Sequence, residues 1–180
     1  MALIEIREDE NGKKVAILQA KLSSSNPECN YQEASCDYEV YQGDFNEFTC
    51  QPTYSMPAVS QGTSFTAGEA GSILPFTAPV NATDSLVFDI HSVLVDGTIS
   101  KSGTNIVSFE GVVGGAVRKD DLIDAIELIP EGALLVNKAV IVSLITFMDA
   151  DIDTDADGQM DALSIGIVIQ AIDANISGTF

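Results

Sequence analysis

Apolar and polar residues alternate near both ends of the chain, as expected of β-strands with one buried face. Residues 3–22 alternate on both sides of the turn sequence ENGK. Because Asn-Gly between two alternating runs favours a tight turn, this segment predicts a β-hairpin. ALSIGIVIQAI (162–172) alternates leucine and isoleucine with mostly smaller or polar residues, and it predicts a strand close to the carboxyl terminus.

The middle of the chain has a second group of strand-like segments. SLVFDIHSVLV (85–95) and TNIVSFEGVV (104–113) are rich in β-branched and aromatic residues. Asp96-Gly97 follows the first of them and predicts a turn. We therefore expect two or three antiparallel strands in this part of the chain.

Helical periodicity follows these strands. The apolar residues of DDLIDAIELIP (120–130) recur at helical spacing, with Asp120 or Asp121 as the expected cap and Pro130 as the stop. Residues 137–148 form a mainly apolar run without a readable period, which fits a short buried helix or a buried strand. The helix is favoured because Asn137 can cap it.

The segment from residue 23 to about residue 83 is irregular and contains five of the six prolines. We predict loops there, with short strands near YEVY (38–41) and FNEFT (45–49). The chain divides into a region of hairpin, loops and cysteines (1–83) and a β-rich lobe (84–180), within one domain of ordinary size. The predicted fold is mainly β, an antiparallel β-sandwich with one or two short α-helices.

The charge balance limits the partners. Acidic residues number 27 against 8 basic ones, for a net charge of -19. Such a surface repels phosphate backbones and anionic headgroups, so nucleic-acid binding and membrane-surface binding are disfavoured. The longest mainly apolar run, AVIVSLITFM (139–148), is too short to span a bilayer, and we predict no membrane insertion.

Six aspartates lie within DADIDTDADGQMD (149–161), a stretch without a basic residue. Counted from Asp153, carboxylates stand at positions 1, 3, 5 and 9, and Gly158 stands at position 6. Ca²⁺ takes about six to eight oxygen ligands, and side chains at alternate positions of a tight loop converge on one point. This spacing predicts a calcium site whose ion supplies the missing counter-charge. The alternative is a solvated acidic turn without a specific ion.

The same stretch resembles the D-x-D-x-D-G calcium loops of EF-hands, dockerins and thrombospondin type 3 repeats. The resemblance implies these ligands: the side chains of Asp153, Asp155, Asp157 and Asp161, the backbone carbonyl of Gln159, and Asp149 or Asp151 completing the shell. Position 12 is Ser164, where an EF-hand has a bidentate glutamate, and a strand follows where an EF-hand has a helix. We therefore expect a single structural site before the last strand and not a paired, switching EF-hand.

The C-terminal half also resembles uncharacterised secreted bacterial lipoproteins and surface proteins. Those proteins often carry a stretch of the form DIDTDGDG-x-x-DA-x-S-[IVL] after a short helix, and this chain has DIDTDADGQMDALSI (151–165). It departs from them at Ala156, where the second glycine is common, and it has no lipidation cysteine at its start. The resemblance implies export and calcium binding, with an extracellular or cell-surface location, and it implies no activity.

Three cysteines, Cys29, Cys36 and Cys50, lie in the N-terminal third. Their spacings of seven and fourteen and the absence of a nearby histidine disfavour zinc, whereas a secreted chain uses such cysteines in disulfides. We predict one structural disulfide, with the third cysteine buried, free or bonded to another chain.

Catalytic chemistry has little support. The single histidine, His91, lies in a strand-like run, and the sequence indicates neither a nucleophile nor an orienting acid near it. We therefore expect no catalytic residues and a protein that is not an enzyme. The first functional hypothesis is an exported structural or adhesive protein stabilised by calcium, whose main partner is itself in a surface layer or filament. The second is a secreted β-sandwich that binds a ligand of carbohydrate type or hydrolyses one.

Overall fold

The computed structural model describes residues 2–9, 12–25, 29, 36–81, 84–103 and 105–180, which form ten β-strands and two α-helices. The strands are β1 (Ala2–Asp9), β2 (Gly12–Leu22), β3 (Cys36–Val40), β4 (Met56–Gln61), β5 (Ser64–Gly68), β6 (Ile73–Pro79), β7 (Ser85–Ser102), β8 (Asn105–Arg118), β9 (Ala162–Ile172) and β10 (Ala174–Thr179). The helices are α1 (Lys119–Leu128) and α2 (Lys138–Phe147). The fold is mainly β, as predicted, and its large sheet and two short helices are consistent with a sandwich-like architecture.

The chain forms two compact units. Unit 1 comprises Met1–Glu69, Leu94–Val113 and Ile167–Phe180, and unit 2 comprises Ala70–Val93 and Gly114–Gly166. Three long strands, β7, β8 and β9, contribute residues to both units. The boundary therefore runs through strands and not through a flexible linker.

Unit 1 begins with the predicted hairpin. Strands β1 and β2 pair antiparallel from Ala2↔Gln19 to Asp9↔Gly12, and Gly12 has a φ of 114°, which only glycine adopts readily. The hairpin prediction is confirmed for the described residues, while Glu10 and Asn11 of the turn lie outside them. Strand β2 also pairs with β3 and β4, β4 pairs with β5, and β10 lies parallel to β3.

A buried cluster fills the β2–β3 region of unit 1. It comprises Ala16, Leu18 and Ala20 of β2 and Cys36, Tyr38 and Val40 of β3. Both sets alternate along their strands, so each strand turns one face towards the cluster. The predicted strand at 38–41 is confirmed, with its start two residues earlier.

Four strands were not predicted from the sequence, and one was predicted wrongly. One of the four is β10, which follows the strand predicted to be the last. Strands β4, β5 and β6 lie in the segment predicted as loops. FNEFT is not a strand: Phe45 makes an isolated bridge with Pro52, and residues 46–49 turn. The turn forms because the Asn46 side chain accepts hydrogen bonds from the backbone N–H groups of Phe48 and Thr49, each at 3.0 Å.

The turn predicted at Asp96-Gly97 is also wrong, because β7 continues through it. Gly97 and Gly111 lie side by side in unit 1, and a Cβ on either would meet the other's Cα at 2.8 Å. The ring of Phe109 covers the same point. These glycines therefore permit close backbone approach within the sheet and do not turn the chain.

Unit 2 contains both helices. Strand β6 pairs antiparallel with the first half of β7, from Ile73↔His91 to Pro79↔Ser85. The buried cluster of unit 2 consists of Ile126 of α1, Ile145 of α2 and Leu163 of β9, with partly buried neighbours around them. The two helices are antiparallel, since the Lys119 ammonium at the start of α1 donates to the carbonyls of Thr146 and Met148 at the end of α2.

The helix starts were predicted with mixed success. Asn137 caps α2 as expected, and its side chain accepts a hydrogen bond from the N–H of Ala139 at 2.8 Å. The cap predicted for α1 is wrong: Arg118 occupies that position without a side-chain cap, and Asp120 and Asp121 lie in the first turn. The reason is that β8 runs into α1 without a loop, so the strand sets where the helix begins. The two aspartates still favour the helix because they lie at its positive end.

Candidate metal centre

The acidic loop of unit 2 connects α2 to β9 and is closed at its base by backbone pairing. Ile152 and Ala162 form an isolated antiparallel bridge, with hydrogen bonds of 3.0 and 3.2 Å in the two directions. The carbonyl of Ile152 also accepts from the N–H of Asp161 at 3.0 Å. Residues 153–160 are therefore a loop whose two ends are held together.

Three carboxylates converge in this loop. Asp153, Asp155 and Asp157 each offer an oxygen, and these oxygens all lie within 4.8 Å of one another. Asp153 is half-buried, whereas Asp155 and Asp157 are exposed. A cluster of this size, composed only of oxygen donors, could hold a hard cation.

The backbone of the loop folds around Asp153. Its two carboxylate oxygens accept hydrogen bonds from the N–H groups of Ala156 at 2.7 Å and Gly158 at 2.9 Å. Such bonds require sharp turns, and Ala156 and Gly158 have φ values of 61° and 90°. Gly158 tolerates that conformation readily, as expected from its position in the loop, whereas Ala156 adopts it at a steric cost.

Two further predicted ligands, Asp157 and Gln159, interact with each other. The Asp157 carboxylate accepts from the backbone N–H of Gln159 at 2.8 Å and from its side-chain amide at 3.4 Å. Asp155 similarly accepts from the N–H of Asp157 at 3.2 Å. These local hydrogen bonds keep successive aspartates in one compact turn.

Asp161 anchors the end of the loop. Its oxygens accept hydrogen bonds from the Thr154 hydroxyl at 2.5 Å and the Thr154 N–H at 2.8 Å, and the Arg118 guanidinium lies 3.4 Å away. The Thr154 hydrogen bonds, with a smaller contribution from the Arg118 charge, lower the pKa of Asp161 from its ordinary value. Its carboxylate thus lies outside the group of three, against Thr154 and Arg118.

Asp151 anchors the start of β9. Its carboxylate accepts from the Ser164 hydroxyl at 2.5 Å and from the Ser164 N–H at 2.7 Å. These hydrogen bonds, the hydroxyl first, lower the pKa of Asp151. Ser164, which stands where an EF-hand has glutamate, therefore binds an aspartate here. Asp149, the remaining predicted ligand, is exposed at the beginning of the stretch.

Sequence reasoning missed the partners of these aspartates. Thr154, Ser164 and Arg118 hold Asp161 and Asp151 in place, yet none of them belongs to a ligand pattern. Arg118 lies 43 positions before Asp161, so only the tertiary fold brings the two together. Thr154 and Ser164 are common polar residues, and nothing in their spacing marks them.

The predicted disulfide is confirmed and joins Cys29 to Cys36, with their Cα atoms 5.9 Å apart. Cys36 is fully buried in the unit 1 cluster, and Cys50 is a free, exposed cysteine. The disulfide is consistent with an extracellular location. Among the described residues, neither helix has the length and hydrophobicity needed to cross a membrane.

His91 lies in unit 2, partly buried in β7. Its Nε2 is 3.8 Å from a carboxylate oxygen of Asp121 in α1, beyond hydrogen-bonding distance.

Comparison of the whole chain with protein-family models, curated proteins and solved structures finds no match.

Proposed function

We propose that this protein is an exported structural or adhesive protein that is stabilised by calcium and assembles with copies of itself into a surface layer or filament. The observation that carries the proposal is the convergence of Asp153, Asp155 and Asp157 within 4.8 Å. Three carboxylates at that separation repel one another, and a divalent cation removes the repulsion. The disulfide supports export.

Calcium suits this loop better than other common metals. Zinc prefers nitrogen and sulfur ligands, and the cluster offers only oxygen. Magnesium requires near-ideal octahedral geometry, whereas calcium accepts the irregular arrangement that an exposed loop provides. The remaining proposed ligands are the carboxylate of Asp161, the carbonyl of Gln159, and Asp151 or Asp149.

The proposed role of the ion is to clamp unit 2. The loop joins the end of α2 to the start of β9, and both elements contribute to the unit 2 cluster. An ion that fixes the loop would hold these two elements at their present separation. For a dissociation constant of about 10⁻⁴ to 10⁻³ M, 10 mM Ca²⁺ would stabilise the fold by about 1.4–2.7 kcal/mol.

Isothermal titration calorimetry tests the calcium assignment. We expect one Ca²⁺ per chain, with weaker binding of Mg²⁺, and loss of the calcium response in Asp155→Asn. Asp124→Asn is the matched control, because Asp124 is an exposed carboxylate of α1 outside the loop. Absence of calcium binding in the wild-type protein at millimolar Ca²⁺ and physiological ionic strength would contradict the proposal.

Self-assembly has its own test. Cys50 is free and exposed, so this part of unit 1 offers a thiol to a neighbouring subunit. We expect ladders on non-reducing gels, or fibres in electron micrographs, that a chelator or a reductant dissolves. Single particles of one subunit in every condition would rule the assembly out.

A cavity favours the second candidate function, a ligand-binding or hydrolytic module. Unit 1 has a half-open cavity of about 1030 Å³ lined by apolar and polar residues of several strands, among them Val15, Phe65, Phe109, Lys13 and Lys101. Binding sites for small molecules have this size and apolar lining. A glycan array combined with a screen of ester and glycoside substrates would test this candidate, and binding or turnover that Phe109→Ala abolishes would favour it.

A further inference from the structure

Helix α2 has more apolar surface than the fold buries. Its sequence, KAVIVSLITF, is apolar around most of its circumference, as is typical of a helix buried on all sides. Within unit 2 only one side of it is covered, by the cluster that contains Ile145, with Ile141 and Val142 packed against that cluster. The opposite side faces solvent.

The exposed side forms a continuous stripe. Val140, Leu144 and Phe147 are 50%, 61% and 85% exposed, and their spacing of four and three residues places them on one face of the helix. Met148 continues the stripe at the end of α2, and Leu135 and Val136 precede the helix, all exposed. Together with Leu128 at the end of α1, these seven residues are called the α2 face.

The area of the α2 face matches what a protein partner needs. At the observed exposures, seven apolar side chains of this size present roughly 800 Å² to solvent, which is about the contribution of one partner to a standard interface. A monomer rarely leaves a contiguous apolar patch of that extent in water. Single apolar side chains that are exposed elsewhere on the surface need no such explanation.

The charge distribution selects a second copy as the partner. The net charge of -19 makes two copies repel wherever their carboxylates meet, but residues 132–148 contain no acidic residue and one lysine, Lys138. Two α2 helices can therefore approach each other without bringing carboxylates together. The same net charge disfavours an anionic lipid surface as the partner.

We infer that the α2 face is the interface of a symmetric homodimer in which two α2 helices pack antiparallel. A twofold axis beside Ser143 and Leu144 sets Val140 against the second copy's Phe147, and Phe147 against the second copy's Val140. The same axis sets Lys138, at the start of one α2, opposite Asp149, just past the end of the other. Within its own chain the Lys138 ammonium donates to the Glu127 carbonyl at 3.0 Å, which leaves two of its three N–H donors for a carboxylate. Each dimer thus gains two pairings of opposite charge at the ends of its apolar seam.

This inference rests on the proposed self-assembly, for which it supplies one interface. It assigns Asp149 to the seam, which leaves Asp151 to complete the calcium shell. Sedimentation velocity of the full chain over a wide concentration range, in reducing buffer with calcium, tests it. Reduction removes any contribution of Cys50 to the association. We expect a monomer–dimer equilibrium that Phe147→Glu weakens by about 100-fold or more, because the symmetric dimer then contains two charges within its apolar seam.

Phe48→Glu is the matched control, since Phe48 is an equally exposed phenylalanine of unit 1 outside the α2 face. We expect it to leave the dimer dissociation constant within about threefold of the wild-type value. Circular dichroism of each variant checks that the fold is kept. If Phe147→Glu and Phe48→Glu dimerise as well as the wild type, the α2 face is not the interface, although self-assembly stands.

A charge exchange tests the orientation of the helices. Lys138→Glu alone sets two acids opposite each other at both ends of the seam, and Asp149→Lys alone sets two lysines there. Each variant should dimerise poorly by itself, but an equimolar mixture should form a heterodimer in which both pairings are restored. A mixture that associates no better than its components would overturn the antiparallel packing.

Two further outcomes would overturn the inference. A wild-type protein that stays monomeric while calorimetry detects calcium would remove the dimer and leave the calcium site. Cosedimentation of the wild type with neutral phosphatidylcholine vesicles, lost in Phe147→Glu, would show that lipid and not a second copy covers the α2 face.

Discussion

Different interactions stabilise unit 1 and unit 2 internally. Unit 1 has a buried cluster of six residues on β2 and β3, and a disulfide joins its fully buried Cys36 to Cys29. Unit 2 has a buried cluster of three residues from α1, α2 and β9, and its loop brings three carboxylates together. The cluster on β2 and β3 carries a covalent link, whereas the cluster of α1, α2 and β9 lies beside a loop whose carboxylates could hold a cation. The disulfide exposes unit 1 to the redox potential of its surroundings, whereas the proposed calcium binding would make unit 2 respond to cation concentration.

The two units can be followed separately in solution. The three tyrosines among the described residues, Tyr38, Tyr41 and Tyr54, belong to unit 1, and the chain has no tryptophan. Both α-helices belong to unit 2. Tyrosine fluorescence therefore reports on unit 1, and the helical part of the circular dichroism spectrum reports on unit 2.

Truncation of a core residue should give the largest effect. Leu18, 1% exposed in unit 1, and Ile126, 4% exposed in unit 2, are the test positions. We expect Leu18→Ala to lower the free energy of unfolding by about 3–5 kcal/mol and Ile126→Ala by about 2–3 kcal/mol, because fewer buried neighbours surround Ile126. In urea denaturation, Leu18→Ala should lower the midpoint of the tyrosine fluorescence transition more than that of the helical signal. Ile126→Ala should lower the midpoint of the helical signal more. Identical midpoints for both probes in both variants would show that the units unfold together.

Loss of the disulfide should have the second largest effect on stability. Cys29→Ala opens a loop of eight residues, which the chain-entropy relation converts to about 2.5 kcal/mol of stability. The change should appear in tyrosine fluorescence, and a reductant should have the same effect on the wild-type protein. Cys50→Ala is the control and should leave the unfolding midpoint unchanged, since Cys50 is exposed and free.

The α2 cap should give a smaller effect, confined to unit 2. Asn137→Ala removes the side chain that accepts from the Ala139 N–H. We expect the free energy of unfolding, followed by the helical signal, to fall by about 1 kcal/mol. Ser143→Ala on the same helix is the control, because the Ser143 hydroxyl bonds back to the Ala139 carbonyl and contributes little to stability. An equal loss in both variants would mean that the cap has no special role.

The smallest expected effect is a change in stability at low pH. The folded-state pKa of Asp151 is lowered, so its hydrogen bonds to Ser164 favour folding above the unfolded pKa of about 3.9 and are lost as pH falls through the folded value. Ser164→Ala should move the pKa of Asp151 back towards its ordinary value in calcium-free buffer, as followed by carboxyl carbon chemical shifts. Thr154→Val is the comparison, because it should raise the pKa of Asp161 and leave that of Asp151 in place.

The fold could be predicted from the sequence where local patterns were strong. The N-terminal hairpin, the strand at 162–172 and the helix after Asn137 have clear alternation, turn or cap residues, and the structure confirms them. Strands β4, β5 and β6 were missed because prolines and small polar residues conceal their alternation. Pairing with neighbouring strands, which the local pattern does not contain, makes them strands.

The candidate site shows the same limit. The spacing of aspartates predicted the convergence of Asp153, Asp155 and Asp157, because a tight loop brings alternate positions together whatever surrounds it. The partners of Asp161 and Asp151 depended on β8 and β9 and were not predicted. Local chemistry was therefore accessible from the sequence, whereas the contacts that hold the loop in unit 2 required the fold.

Gly97 and Gly111 bear on the history of this chain as well as on its packing. Any side chain at either position would strike the backbone of the facing strand, so no single substitution is tolerated there without displacing β7 from β8. Related sequences can differ in loops, surface charges and even the aspartates, yet they have to keep glycine at these two facing positions. The two glycines are thus an inherited mark by which distant members of this lineage could be recognised after the rest of their sequences have diverged.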